Sequence, residues 1–292
     1  MRWTSCPEPR PPPFCRLTFN PTRREPANCQ KLIQSKKNAF YFSVPWFVVC
    51  VKAVCCALGL ALSISFGQTI SPRSNSKVKS VGRAALAERK VRPALEVDLN
   101  AAGLHYGDPI FIRAFKDGSY LEVFVWNRKT EKFVWFRTYP ILAQSGVLGP
   151  KLLEGDGQVP EGFYQVPPSA MNSNSRFHLS FNIGYPNPHD LALKRTGSAI
   201  MVHGNRVSIG CLAMGDPKIE EIYSLCAAAH RNGQEAIQIH LFPFKMTVTR
   251  LLEAKSEPDF PFWNDLKIGY DRFERDCIPP SWSVKKGRYH FD

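Results

Sequence analysis

Three short runs of alternating apolar and polar residues follow one another with almost no chain between them. They are IFIRAFK (Ile110–Lys116), YLEVFVWN (Tyr120–Asn127) and KFVWFRTY (Lys132–Tyr139). A period of two sends neighbouring side chains to opposite faces of an extended backbone. The separators DGS and RKTE leave room only for tight turns. An antiparallel meander is therefore expected, and an all-helical fold is excluded. Leu148–Val166 carries glycine and proline at close intervals and reads as a long ordered loop running into a short strand. RFHLSFNIGYPN reads as a strand with an irregular exit, and SAIMVHG as a buried β-branched strand. GDPKIEEIYSLCAAAHRNGQ has helix punctuation: Asp216 as N-cap, Pro217 at the first position, Glu220 and Glu221 in the first turns, Asn232-Gly233 at the stop. AIQIHLFPF returns as a strand, and two further helices are expected around Lys245–Lys255 and Pro261–Arg275. The pattern predicts an α+β fold: a mostly antiparallel sheet, flanking helices and a C-terminal helical extension.

The net charge of +13 on 292 residues invites a nucleic-acid reading until the charge is located. Residues 1–93 hold 16 Lys+Arg against 3 Asp+Glu, whereas 94–292 hold 22 of each. The excess lies in a leader with no helical or strand period, so nucleic-acid binding is set aside. Four regions are expected. Residues 1–43 are a basic, Pro-rich leader, and 44–67 an apolar stretch broken by Lys52 that suits a signal peptide or an N-terminal anchor. Residues 68–93 read as a polar, basic linker, and 94–292 as the folded region. A signal segment rarely starts 40 residues into a chain, so translation is expected to begin near Val51. Either form of the segment sends the rest of the chain across a membrane, which it touches only there.

HGNRVSIGC (His203–Cys211) is the stretch that carries chemistry. A strand, a tight turn at Gly204-Asn205-Arg206 and a returning strand would bring His203 toward Cys211, within reach of base and thiol. Gly210 allows close backbone approach before the sulfur. The N–H groups near Gly210 and Cys211 are candidates for an oxyanion hole. Ser208 could orient substrate or hydrogen-bond the loop. Residue types alone leave open whether this is a catalytic pair or two buried side chains. Six of the nine cysteines precede residue 57. Cys226 and Cys277 suit one disulfide or two buried thiols, leaving Cys211 the odd, reactive thiol. A metal site is not expected: the pair is two ligands short of tetrahedral zinc, and the spacing of His178, His189 and His240 does not supply them. EGDGQ lacks the lysine of a phosphate loop, and no cofactor is expected.

HGNRVSIGCLAM resembles the active-site motif of the YkuD-type L,D-transpeptidases, and is similar in particular to their YafK subgroup. The same subgroup shares LGPK…EGDGQVPEGFY, NIGYPN, RTGSAIMVHG, IHLFPF and GYDRFE, so the likeness runs from about Tyr106 to Phe291. The resemblance implies a YkuD-like catalytic domain in a bacterial periplasm or envelope. It implies Cys211 as nucleophile, His203 as base, and Gly204, Ser208 and Gly210 as structural members of the motif. The implied substrates are peptidoglycan stem peptides, attacked at the diamino acid through an acyl-enzyme. One departure matters: typical members read GCIRM, while this chain reads GCLAM, with Ala213 where the arginine stands. Arg195 and Lys194 are candidate replacements. Tyr185 and Asn187, in NIGYPNPHD, are expected to line the pocket, with Gly204 and Arg195 also binding substrate. The subgroup's pattern is associated with hydrolysis of the link between the diamino acid and a lysine of a wall-attached lipoprotein. Transfer, which forms crosslinks or attaches proteins, stays open beside it. A non-catalytic wall-binding module is the reading from a different class.

Overall fold

The structure, a computed structural model, describes residues 82–292. The leader, the apolar segment and the start expected near Val51 lie outside the described residues. In chain order the elements are α1 (Arg83–Ala101), β1 (Ile110–Phe115), β2 (Tyr120–Asn127), β3 (Lys132–Pro140), β4 (Gly162–Val166), β5 (Met171–Asn172), β6 (Ser180–Asn182), α2 (Pro188–Ala192), β7 (Met201–His203), β8 (Leu212–Ala213), α3 (Asp216–Arg231), β9 (Ile237–Phe242), α4 (Val248–Glu253), α5 (Phe260–Asp276), β10 (Trp282–Lys285) and β11 (Arg288–Phe291). The α+β reading holds. None of the described helices is long and apolar enough to cross a membrane.

The meander forms as the alternation requires, with Ile110 opposite Val125 and Val125 opposite Val134. It occupies one side of a five-stranded sheet of order β3-β2-β1-β9-β4. A smaller sheet runs β5-β6-β7-β8, and β10 pairs with β11. Most pairs are antiparallel, but β1 with β9 and β7 with β8 are parallel, so both larger sheets are mixed.

The period of two in β1 sorts the core chemically. Ile110, Ile112 and Ala114 enter an aliphatic core with Ile219, Ile222 and Leu225 of α3. Phe111 and Phe115 face the other way, toward Phe273 and Tyr270 of α5. Arg113 shares that aromatic face. It is 4% exposed, donates to Glu122 Oε2 at 2.5 Å and to Glu274, and lies over the rings of Phe124 and Tyr270. A buried guanidinium needs such partners, since an unpaired one would cost several kcal/mol.

Two expectations change, and one choice left open is decided. The linker read over 68–93 runs into a helix, because Arg83–Ala101 is α1 and the boundary at 94 falls inside it. Ala84, Ala87, Val91, Leu95 and Leu99 recur at three- and four-residue spacing, and that stripe joins the aliphatic core. The N-cap of α3 is Gly215, not Asp216, whose carboxylate instead accepts from Asn205 N–H at 2.7 Å. Cys226 and Cys277 are separate, buried free thiols.

Candidate active site

β7 and β8 place the pair. Val202 lies opposite Leu212 and His203 opposite Ala213, in parallel register. The expected hairpin is therefore a loop: Gly204–Cys211 turns back far enough for the second strand to run the same way as the first. The alternation of strand faces then decides the chemistry. Val202 and Leu212 point into the aliphatic core. Met201, His203 and Cys211 belong to the opposite face by the same alternation, Cys211 standing one residue before β8 and diagonal to His203 in the register.

His203 is 2% exposed. Its Nδ1 lies 2.5 Å from the carbonyl oxygen of Gly204. Carbonyl oxygen only accepts, so Nδ1 carries the proton and Nε2 keeps its lone pair. Burial pulls the His203 pKa below 6.5, against the Gly204 hydrogen bond, which raises it. The Phe177 ring covers the imidazole at 4.8 Å between centroids. The Cys211 sulfur accepts from Met201 N–H at 3.3 Å and faces Ala199 O at 3.7 Å. Burial pushes its pKa above 9, opposed by the Met201 N–H and by the charge of Lys151. Both shifts favour the neutral forms, and no hydrogen bond joins the two side chains. Such bonds are often loose before substrate binds.

The loop between them is held from several sides. Ser208 Oγ donates to Cys211 O at 2.6 Å and accepts from Cys211 N–H at 3.0 Å, so it clamps the loop. Gly210 has φ +82°, and a Cβ there would lie 3.2 Å from Gln158 O. Its N–H donates to Ser145 Oγ at 2.6 Å, and Ser145 Oγ donates to Gly157 O. Both N–H groups expected to bind an oxyanion are thus occupied by hydroxyls, which substrate would have to displace.

The remaining expected residues stand elsewhere. Gly204 is packed, because a Cβ would strike Asp216 Oδ1 at 2.6 Å and Phe177 O at 2.7 Å. Its contribution is the carbonyl that fixes His203. Tyr185 is buried and donates to Lys151 O and Thr196 O. Asn187 caps α2 with Asp190 and donates to Phe163 O at 2.8 Å. Arg195 is 9% exposed and bound to Asp190 Oδ1 at 2.8 Å. Asn187 and Arg195 hold a buried network around Asp190, which Tyr164 joins, and none of the three lines either hollow near the Gly204–Cys211 loop. Lys194 adopts φ 57° just before Arg195 and is exposed.

Two hollows lie near the loop, and neither His203 nor Cys211 lines them. One, of ≈ 620 Å³, is lined by Ser169, Met171, Asn172, Asn174, Asn182 and Met201. Asn182 lies opposite Met201, whose N–H meets the Cys211 sulfur. The other, of ≈ 460 Å³, is lined by Leu142, Asn205, Arg206, Asp216 and Lys218. Ala213 is fully buried and bridged to Ala143, with its N–H on Ala143 O at 2.9 Å. Among the described residues no group of three His, Cys, Asp or Glu is arranged to hold a metal. The sequence reading missed Ser145, Phe177, Lys151 and Asp156. Lys151 and Asp156 stand in LGPKLLEGDGQ, but only the folded chain shows that this loop lies against Cys211.

The site therefore holds a buried imidazole with an anchored Nδ1 and a part-buried thiol on one sheet face. Residues 123–239 match the YkuD family, the L,D-transpeptidase catalytic domain. The chain is 39% identical over 183 residues to YafK of Escherichia coli (strain K12), an L,D-transpeptidase by name, covering 63% of this chain and 74% of that one. This chain belongs to the YkuD L,D-transpeptidase family. Among solved structures it is similar to the helical cell shape determining protein Pgp2 of Campylobacter jejuni, with TM-score 0.38, 16% identity and coverage of 62% of this chain and 75% of that one. Bd1075 of Bdellovibrio bacteriovorus matches at TM-score 0.33 and 23% identity, covering 47% and 49% of the two chains. Likenesses this loose carry no argument about the reaction.

Proposed function

We propose that this chain is an envelope enzyme that cuts an amide at the diamino acid of peptidoglycan stem peptides, using Cys211 as nucleophile and water as the final acceptor. The supporting observation is the shared face of His203 and Cys211 with Nδ1 anchored on Gly204 O. His203 Nε2 takes the thiol proton as the sulfur attacks the carbonyl, and the same proton then goes to the departing amine. The cleft of Asn172, Asn174, Asn182 and Ser169 offers uncharged donors and acceptors, which suit peptide amides in an extended stem. Water then resolves the acyl-enzyme, with His203 again as base.

Hydrolysis is preferred to transfer because of Ala213. A bound amine beats water only when it is pre-positioned. Position 213, opposite His203, presents a buried methyl group under the Ala143 bridge and no fork to hold an acceptor. The amide cut is proposed to join the wall to a protein lysine. The full chain is given tetrapeptide stems together with stems joined to a lysine-ended peptide, and products are separated and weighed. Released lysine peptide is the expected main product; crosslinked dimer as the main product restores transfer.

A further inference from the structure

We propose that Lys151 is a positioning residue for the nucleophile: a fixed positive charge, caged behind Cys211, that favours the thiolate when the proton leaves. The proposal rests on Cys211 being the nucleophile and not on which amide is cut.

The placement is built, not incidental. Lys151 is 4% exposed, which is rare for a lysine without a dedicated setting. Its Nζ donates to Leu153 O at 2.8 Å and to Asp156 Oδ1 at 2.5 Å, and lies 5.8 Å from the centre of the Tyr185 ring. The turn that holds it is closed by Asp156, whose carboxylate also accepts from the N–H groups of Leu152, Leu153 and Gln158. The lysine stem runs over Gly197, where an added Cβ would lie 2.7 Å from Lys151 Cε. Gly197 therefore has to lack a side chain for the stem to pass. Two residues further on, Ala199 supplies the carbonyl facing the Cys211 sulfur. The same turn reaches the nucleophile from the other side, because Gln158 O abuts Gly210.

The charge matters because the site otherwise opposes ionisation. Burial raises the Cys211 pKa, and the Lys151 charge is one of two influences drawing it back. Lys151 is the charge that acts on the sulfur; around it, Asp156 is bound to the lysine, Glu154 Oε2 lies 3.5 Å from the Cβ position of Gly197, and His203 stands on β7 opposite Ala213. Hydrogen bonds from Lys151 and backbone N–H groups overcome burial and hold Asp156 down at about 2, so it stays ionised and tempers the lysine.

Charge and scaffolding roles separate by sign. The full chain is alkylated with iodoacetamide across pH, and the Cys211-bearing peptide is quantified by mass spectrometry for the parent, Lys151→Met and Asp156→Asn. Lys151→Met is expected to move the midpoint up and to slow alkylation at pH 7.5 about 3- to 10-fold. Asp156→Asn removes a negative charge from the same turn and is expected to move the midpoint down. A role confined to holding the turn predicts the same direction for both, since both break the same ion pair. An unmoved midpoint in Lys151→Met, or an upward one in Asp156→Asn, overturns the proposal. If Lys151→Met fails to fold, the sign for Asp156→Asn decides alone: a downward midpoint supports the charge role, and an unmoved or upward one overturns it.

Discussion

At the scale of single residues, one hydrogen bond decides which nitrogen of His203 is left free. With Nδ1 committed to Gly204 O, Nε2 is the nitrogen left to accept a proton in the proposed reaction, and burial lowers the ring's pKa below 6.5. A base must be unprotonated to act. The acid limb of kcat/KM for the free enzyme is therefore expected below pH 6.5, and a limb at or above 6.5 would contradict the lowered His203 pKa. His203→Gln should lower turnover by roughly 10²–10⁴. Cys211→Ala should abolish turnover with little change in thermal midpoint, because alanine fits wherever cysteine does. Cys226→Ala and Cys277→Ala, at buried thiols with no part in the chemistry, should keep substantial turnover. HGNRVSIGC singled out His203 and Cys211, and the fold puts both on one sheet face. The fate of the neighbouring N–H groups was not legible there, because Ser145 lies 65 positions from Gly210 along the chain.

Among the elements, α1 braces the site from outside the strands that carry it. Leu95 and Leu99 are fully buried against the aliphatic core, worth roughly 1.5–3 kcal/mol each. Arg83, at the first turn, donates to Ser175 O at 2.7 Å and His178 O at 2.6 Å, which pins the loop that carries Phe177 onto His203. A chain begun at residue 94 lacks that clamp. It is expected to melt several degrees below one begun at 82 and to turn over more slowly. Equal melting and turnover would show that the first half of α1 is dispensable. The basic, proline-bearing composition of 83–93 hid this helix, although its three- and four-residue stripe was present to be counted. The strands of the meander were readable because alternation and turn residues are local. The parallel pairing of β7 with β8 was not, since a nine-residue segment such as HGNRVSIGC leaves the direction of return to tertiary packing. The β10–β11 hairpin and α2 were missed as well. For α2 the signal was there, in Asn187-Pro188 followed by Asp190, a capping box around a proline start.

At the scale of the whole molecule, stability and chemistry share buried histidines. His240, opposite Arg113, is enclosed by the rings of Phe111 and Phe163, and burial first, then the Arg113 charge, lowers its pKa to about 3. The unfolded chain takes up this proton near pH 6.5 and the folded chain only near 3, so stability falls as pH drops through that window, by up to about 5 kcal/mol. His240→Phe is expected to flatten the decline: between pH 7.5 and 5 its urea midpoint should shift less than the parent's, and an equal shift would assign the acid sensitivity elsewhere. The central claim, though, is the acyl-enzyme on Cys211, and intact-mass spectrometry tests it most directly. The full chain is mixed with a stem peptide whose diamino acid carries a lysine amide, quenched in acid at short times and weighed. The account predicts a transient gain equal to the acyl portion, without the lysine peptide, located on the Cys211 peptide and absent from Cys211→Ala. An adduct on another residue, or amide cleavage that continues in Cys211→Ala, would contradict it.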